Sequence, residues 1–133
     1  MKKQLMILAA ALATSGCVTQ EQFDKVMATQ RPPSAAEKAA IVSAARDYFV
    51  DPYSIRDAEI SSVVRLNDQG LEAVCVKASA KNRMGGYAGR TSTSVRLFKG
   101  KPMSTLENAP ACAMPQMRYQ RFRELENLRN ILN

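Results

Sequence analysis

Apolar residues run without a break from Leu5 to Ala13, and beyond that point they recur in two rhythms, one helical and one strand-like. Phe23, Val26 and Met27 share one helical face, behind a capping box of Thr19 and Gln22. Arg31-Pro32-Pro33 ends that segment, because proline cannot donate to a helix and holds the residue before it extended. Ser34-Ala35-Ala36-Glu37 is a stronger capping box, and Ile41, Ala44, Ala45, Tyr48 and Phe49 follow at helical spacing. This predicts a helix over about 35–50 that stops at Asp51-Pro52, with Tyr48 and Phe49 in the core.

The period then changes to two. Ala58, Ile60, Ser62, Val64 and Leu66 alternate with Glu59, Ser61, Val63 and Arg65, which predicts a strand. Asn67-Asp68-Gln69-Gly70 turns it into a second strand over 71–78, so the two form an antiparallel hairpin. A third strand is expected over 91–98, rich in β-branched residues, and a weaker fourth near 103–106. From Gln116 on there is neither Gly nor Pro, and Tyr119, Phe122, Leu125, Leu128 and Leu132 fall along one face, predicting an amphipathic helix over 116–132. The expected fold is therefore α+β: an N-terminal helix, a three- to four-stranded antiparallel sheet and a C-terminal amphipathic helix. That C-terminal helix is expected to cover the sheet, with a partner or anionic lipid as its sharper use.

The first residues are a processing signal. Met1-Lys2-Lys3 is a basic head, and the apolar run behind it is shorter than the ~20 residues of a permanent membrane span. Thr14-Ser15-Gly16 leads directly into Cys17, and this run of small residues resembles the lipobox of bacterial lipoproteins. The resemblance implies that 1–16 is cut off as a signal peptide and that Cys17 carries a diacylglycerol thioether on an acylated new terminus. Two or more acyl chains anchor a protein stably to a membrane. Val18 follows Cys17, where Asp would signal inner-membrane retention, so the expected place is the outer membrane, facing the periplasm. The expected organisation is a signal peptide over 1–16, a lipidated N-terminus and tether over 17–33, with one or two helical turns lying on the membrane surface or on the domain, and one α+β domain over 34–133.

Of the three Cys, lipidation of Cys17 leaves Cys75 and Cys112, and two cysteines in an oxidising compartment are expected to pair. There is no C-x-x-C and no His, so neither a redox pair nor a metal site is expected, and no cofactor is called for.

Half of the six Gly lie between the second and third strands, in Lys81-Asn82-Arg83-Met84-Gly85-Gly86-Tyr87-Ala88-Gly89-Arg90. Glycine amides with basic neighbours can nest an anion, which makes Lys81, Asn82, Arg83, Gly85, Gly86, Tyr87, Gly89 and Arg90 candidates for a partner or an anion. The spacing fits neither a dinucleotide fingerprint nor a P-loop. The alternative is a wide turn in which glycine supplies positive φ and Tyr87 packs on the sheet. Over 41–98, Asp51-Pro52-x-Ser54, Ala58-Glu59-Ile60, Cys75-Val76 and Lys81-Asn82 before Gly85-Gly86-Tyr87-x-Gly89 resemble a group of small, mostly uncharacterised proteobacterial envelope proteins. Ser79 and Val76 depart from that group's Asn and Gly. The resemblance implies an architecture and carries no activity with it.

The chain of 133 residues has 19 Lys and Arg against 12 Asp and Glu, a formal +7 that becomes +5 once Lys2 and Lys3 leave with the signal. For an exported protein this charge points to anionic lipid or an acidic envelope protein, and not to nucleic acid. With no His, Ser-His-Asp and Cys-His chemistry is excluded, and no carboxylates are compellingly paired for acid-base work. The expectation is a non-enzymatic binding or scaffolding module held at the membrane by its lipid. An inhibitor or adaptor of a secreted enzyme or envelope machine is the alternative, and a small hydrolase a more distant one.

Overall fold

A computed structural model describes residues 18–132. The signal segment 1–16, the lipidation candidate Cys17 and the Leu132 side chain lie outside the described residues. The order is α1 (Gln20–Met27), α2 (Ala35–Tyr48), β1 (Arg56–Ser61), β2 (Val64–Arg65), β3 (Leu71–Ser79), β4 (Thr91–Phe98), β5 (Lys101–Glu107), β6 (Tyr119–Arg121) and α3 (Arg123–Glu126). Single 3₁₀ segments lie at Pro52–Ser54, Pro110–Ala113 and Asn127–Leu132. The class is α+β, with one antiparallel sheet in the order β5-β4-β3-β1-β6 and β2 paired to β3.

Both capping boxes form. Thr19 accepts from the Gln22 amide while the Gln22 side chain accepts from the Thr19 amide, and Ser34 and Glu37 do the same for α2. Successive side chains of a strand point to opposite faces, so β3 serves two cores. Val74 and Val76 join Ile41, Ala45, Ile60, Val95, Leu97, Phe122 and Leu125 on the α2 side. Ala73 and Cys75 join Met27, Val64, Cys112 and Met117 on the α1 side. Cys75 and Cys112 stand at disulfide distance, with S–S 2.11 Å and Cα–Cα 5.6 Å, and both are buried. They tie the Pro110–Ala113 segment to the central strand.

Two expectations are corrected. The sheet has six strands, not three or four, because the strand expected over 58–66 is split and the C-terminal stretch supplies another. The split falls at Ser62-Val63. Pairing with β3 slips by one residue between Ile60 opposite Val76 and Val64 opposite Ala73. The Cys75 amide at the slip donates to the buried Ser61 hydroxyl at 2.7 Å. Val63 exchanges both backbone hydrogen bonds with Arg31, and the Ser62 amide donates to the Arg118 carbonyl at 2.8 Å. The slip also sends Val63 to the α2 core and Val64 to the α1 core.

The C-terminal helix over 116–132 is replaced by a strand, one turn of α-helix and a 3₁₀ segment. β6 pairs with β1, Ile60 opposite Gln120, and the Phe122 amide donates to the Ala58 carbonyl at 2.8 Å. An open strand edge offers this stretch backbone partners that its own periodicity does not reveal. Phe122, Leu125 and Leu128 still reach one core, whereas Tyr119 packs on the other.

The tether expected over 17–33 is, from Gln20 onward, part of the packed unit. Phe23, Val26 and Met27 lie on the α1-side core, and the Gln30 amide group bonds the Gln116 carbonyl and the Arg118 amide. Arg31 makes the strongest link. Its guanidinium donates to both carboxylate oxygens of buried Glu37 at 2.8 Å and to Glu72 at 2.9 Å. Glu37 thus closes the α2 capping box and pairs with Arg31 at once, which joins the N-terminal segment, α2 and β3.

The Arg31 guanidinium is the main force holding the Glu37 carboxyl down to about 2, from an ordinary value of 4.5, against the opposing pull of burial. A carboxyl lowered in the fold stabilises it fully above its unfolded value and loses that contribution as pH falls through the folded value. Stability is therefore expected to decline between about pH 4.5 and pH 2. A Glu37→Gln variant, less stable at neutral pH, is expected to show a shallower decline in urea midpoints over that window.

Candidate functional site

The glycine-rich loop joins β3 to β4 and is held by its own motif residues. Asn82 Oδ1 accepts from the amides of Met84 and Gly86, at 3.0 and 3.3 Å, while the Gly85 amide donates to the Asn82 carbonyl at 3.0 Å. The amides that an anion nest would offer at 84–86 are therefore already used. Tyr87 donates its hydroxyl to the Ser54 carbonyl at 2.6 Å, and the Lys81 amide donates to Ser54 Oγ at 2.7 Å. The Arg56 guanidinium sits 3.6 Å from the centre of the Tyr87 ring. Ser54, Lys81, Asn82, Gly86 and Tyr87 are thus one another's hydrogen-bond partners. The pattern encodes a knot between the Asp-Pro-x-Ser turn and the loop.

Arg90 pairs with Glu59 at 2.5 Å. Beside that pair the Tyr119 hydroxyl donates to the Cys112 carbonyl at 2.5 Å and is pushed up to about 12, by burial first and by the Glu59 charge second. Of the candidate residues, Lys81 and Arg83 keep exposed side chains with no ion pair among the described residues, both just before Met84, which is 95% exposed. Gly85 and Gly89 have φ of +77° and +110°, whereas Gly86 has no positive φ and open space around it. A left-handed backbone costs a residue with a Cβ about 1–2 kcal/mol. Gly85→Ala is accordingly expected to lower the melting temperature by several degrees, and Gly86→Ala to leave it within a degree or two.

A second site was not visible in the sequence. Between α2 and the β4–β5 end of the sheet lies a cavity of about 350 Å³, open to solvent, lined by Ile41, Ala45, Tyr48, Phe49, Val95 and Met103 among others. Tyr48 and Phe49 stand edge to face, ring centres 5.2 Å apart, and form one wall. The expectation that both pack in the core is corrected for Tyr48, which is exposed, whereas Phe49 is half-buried and packs against the α2-side core. Phe49 has already left the helix, its backbone extended at the end of α2 (φ −80°, ψ 142°), so the two rings leave the chain in different directions. Met103 on β5 is 62% exposed, and Asp47 and Thr105 also line the groove. The walls can take an apolar side chain and the rim a cation.

Among the described residues no three His, Cys, Asp or Glu side chains gather closely enough to hold a metal ion, and no helix is long and apolar enough to cross a membrane. Compared with known proteins, the chain matches no family model, no curated protein and no solved structure.

Proposed function

We propose that the protein is a lipid-anchored binding or scaffolding module of the cell envelope, not an enzyme, and that its α2–β5 groove holds an apolar side chain of an envelope protein. The small residues running into Cys17 support the anchor, with Val18 behind them favouring the outer membrane. The Cys75–Cys112 pair suits an oxidising compartment. The observation that carries the binding role is the apolar groove, open and walled by Tyr48, Phe49 and Met103.

A second reading, an inhibitor or adaptor that docks a secreted enzyme or envelope machine through the 82–87 tip, is favoured by the exposure of Met84 beside Arg83. A photoreactive residue placed at 103 or at 84 of the full chain in intact cells separates the two. Capture of one protein from position 103 alone is the expected result. The same capture from 84 alone overturns the groove reading in favour of the second, and adducts only with lipid from both positions overturn both.

A further inference from the structure

β5 is an outer strand of the sheet, and half of it is bare. The Asn108 amide donates to the Ser92 carbonyl at 2.7 Å, and Leu106 stands opposite Ser94, Thr105 opposite Val95. In an antiparallel ladder hydrogen-bonded and non-hydrogen-bonded pairs alternate. Leu106 and Asn108 therefore spend their backbone groups on β4, and the N–H and C=O of Thr105 and Glu107 point outward. The first half of the strand is guarded in the usual ways of sheet edges. It begins with Lys101, Pro102 has no N–H, and the register slips at Met103. Among the described residues no further strand pairs with Thr105 and Glu107, which are both exposed.

The same end of the groove is acidic. Glu107 stands opposite Thr93, and Thr93, Thr105 and Asp47 all line or border the groove. Neither Asp47 nor Glu107 has an ion pair among the described residues, in a chain with seven more cations than anions. Two free carboxylates, an apolar slot and four outward backbone groups lie together.

We propose that this edge takes an extended segment of the partner protein by strand addition, the backbone pairing with Thr105 and Glu107, an apolar side chain entering the groove and a Lys or Arg facing Asp47 and Glu107. The inference rests on the groove reading and adds the partner's chemistry to it. Main-chain pairing supplies affinity in this mode, and the flanking side-chain sites supply specificity.

The test uses the full chain in detergent and fluorescent peptides read by anisotropy: Lys-Lys-Thr-Val-Thr-Leu-Thr, its Glu-Glu counterpart, and the basic peptide N-methylated at the Val. The basic peptide is expected to bind at least tenfold more tightly than the acidic one, and Asp47→Asn with Glu107→Gln to erase the difference. N-methylation is expected to abolish binding, as is Thr105→Pro, which removes only an outward N–H and suits an edge strand. Equal binding of basic and acidic peptides, or full binding of the N-methylated one, overturns the proposal. So does a chain that takes neither peptide and instead forms a dimer that Thr105→Pro returns to monomer, which would make a second copy the occupant. Capture from position 103 in cells alongside failure of the peptides leaves the groove reading standing and removes strand addition alone.

Discussion

Phe122→Ala is expected to remove about 3–5 kcal/mol of stability, the usual cost of deleting a buried phenyl ring, and so a large part of the ~5–15 kcal/mol that holds a small domain together. Phe122 is fully buried, among the largest enclosed side chains, and packs in the core with Ile60, Val74, Leu97 and Leu125. Its backbone also closes the sheet, because its amide donates to the Ala58 carbonyl directly after β6. A cavity there loosens β6 from β1 and α3 from α2 together. The urea midpoint of the variant is expected to fall by about a third or more, with Gln120→Ala, exposed on the same strand, as a near-neutral control. A loss below 1 kcal/mol would mean that the ring is not enclosed and that the C-terminal segment does not dock as described.

Removing the Cys75–Cys112 cross-link is expected to cost about 4 kcal/mol. On the chain-entropy view, opening a closed loop of 37 residues frees the unfolded chain by about that amount. Replacing both residues by Ala avoids burying two hydroxyls in a dry cluster, so the variant isolates the cross-link and a small cavity. Because both half-cystines are buried, a reductant is expected to leave the folded protein cross-linked and to act once the chain opens. The two measurements are a melting curve with and without reductant and the same curve for the double-Ala variant. Protein that has been unfolded, reduced and refolded in reductant is expected to melt together with the variant, well below the oxidised protein. Coincident curves for all three would show that the bond constrains nothing.

Local features were legible where one segment sufficed to specify them. Thr19 with Gln22 and Ser34 with Glu37 start the two helices because each capping box completes itself within four residues. The hairpin at Asn67 was equally local, its side chain accepting from the amides of Gln69 and Leu71 at 3.0 Å. The candidate loop was legible as a feature and ambiguous as a site. Glycines and basic residues are common to a nest and a turn, and the deciding acceptor, Asn82 Oδ1, belongs to both descriptions until its partners are placed. The groove escaped notice because its walls come from α2 and β5, some 55 residues apart. Glu37 had a sufficient local role as a cap, which hid its pairing with Arg31.

By itself the sequence determined the α+β class, the two capped helices, the pairing of strands around Asn67 and the cysteines available to pair. These are properties of short windows, fixed by hydrogen bonds and periodicities within a few residues. The tertiary structure decided the rest. Tyr119 to Leu128 keeps a spacing that suits a helix, yet the free edge of β1 offered hydrogen bonds that drew its start into a strand while Phe122 and Leu125 kept their place in the core. The strand over 58–66 broke because Ser61, Arg31 and Arg118 could satisfy the backbone groups that the slip left open. Backbone groups must be paired wherever the chain is buried, and which partners are within reach is a property of the whole fold.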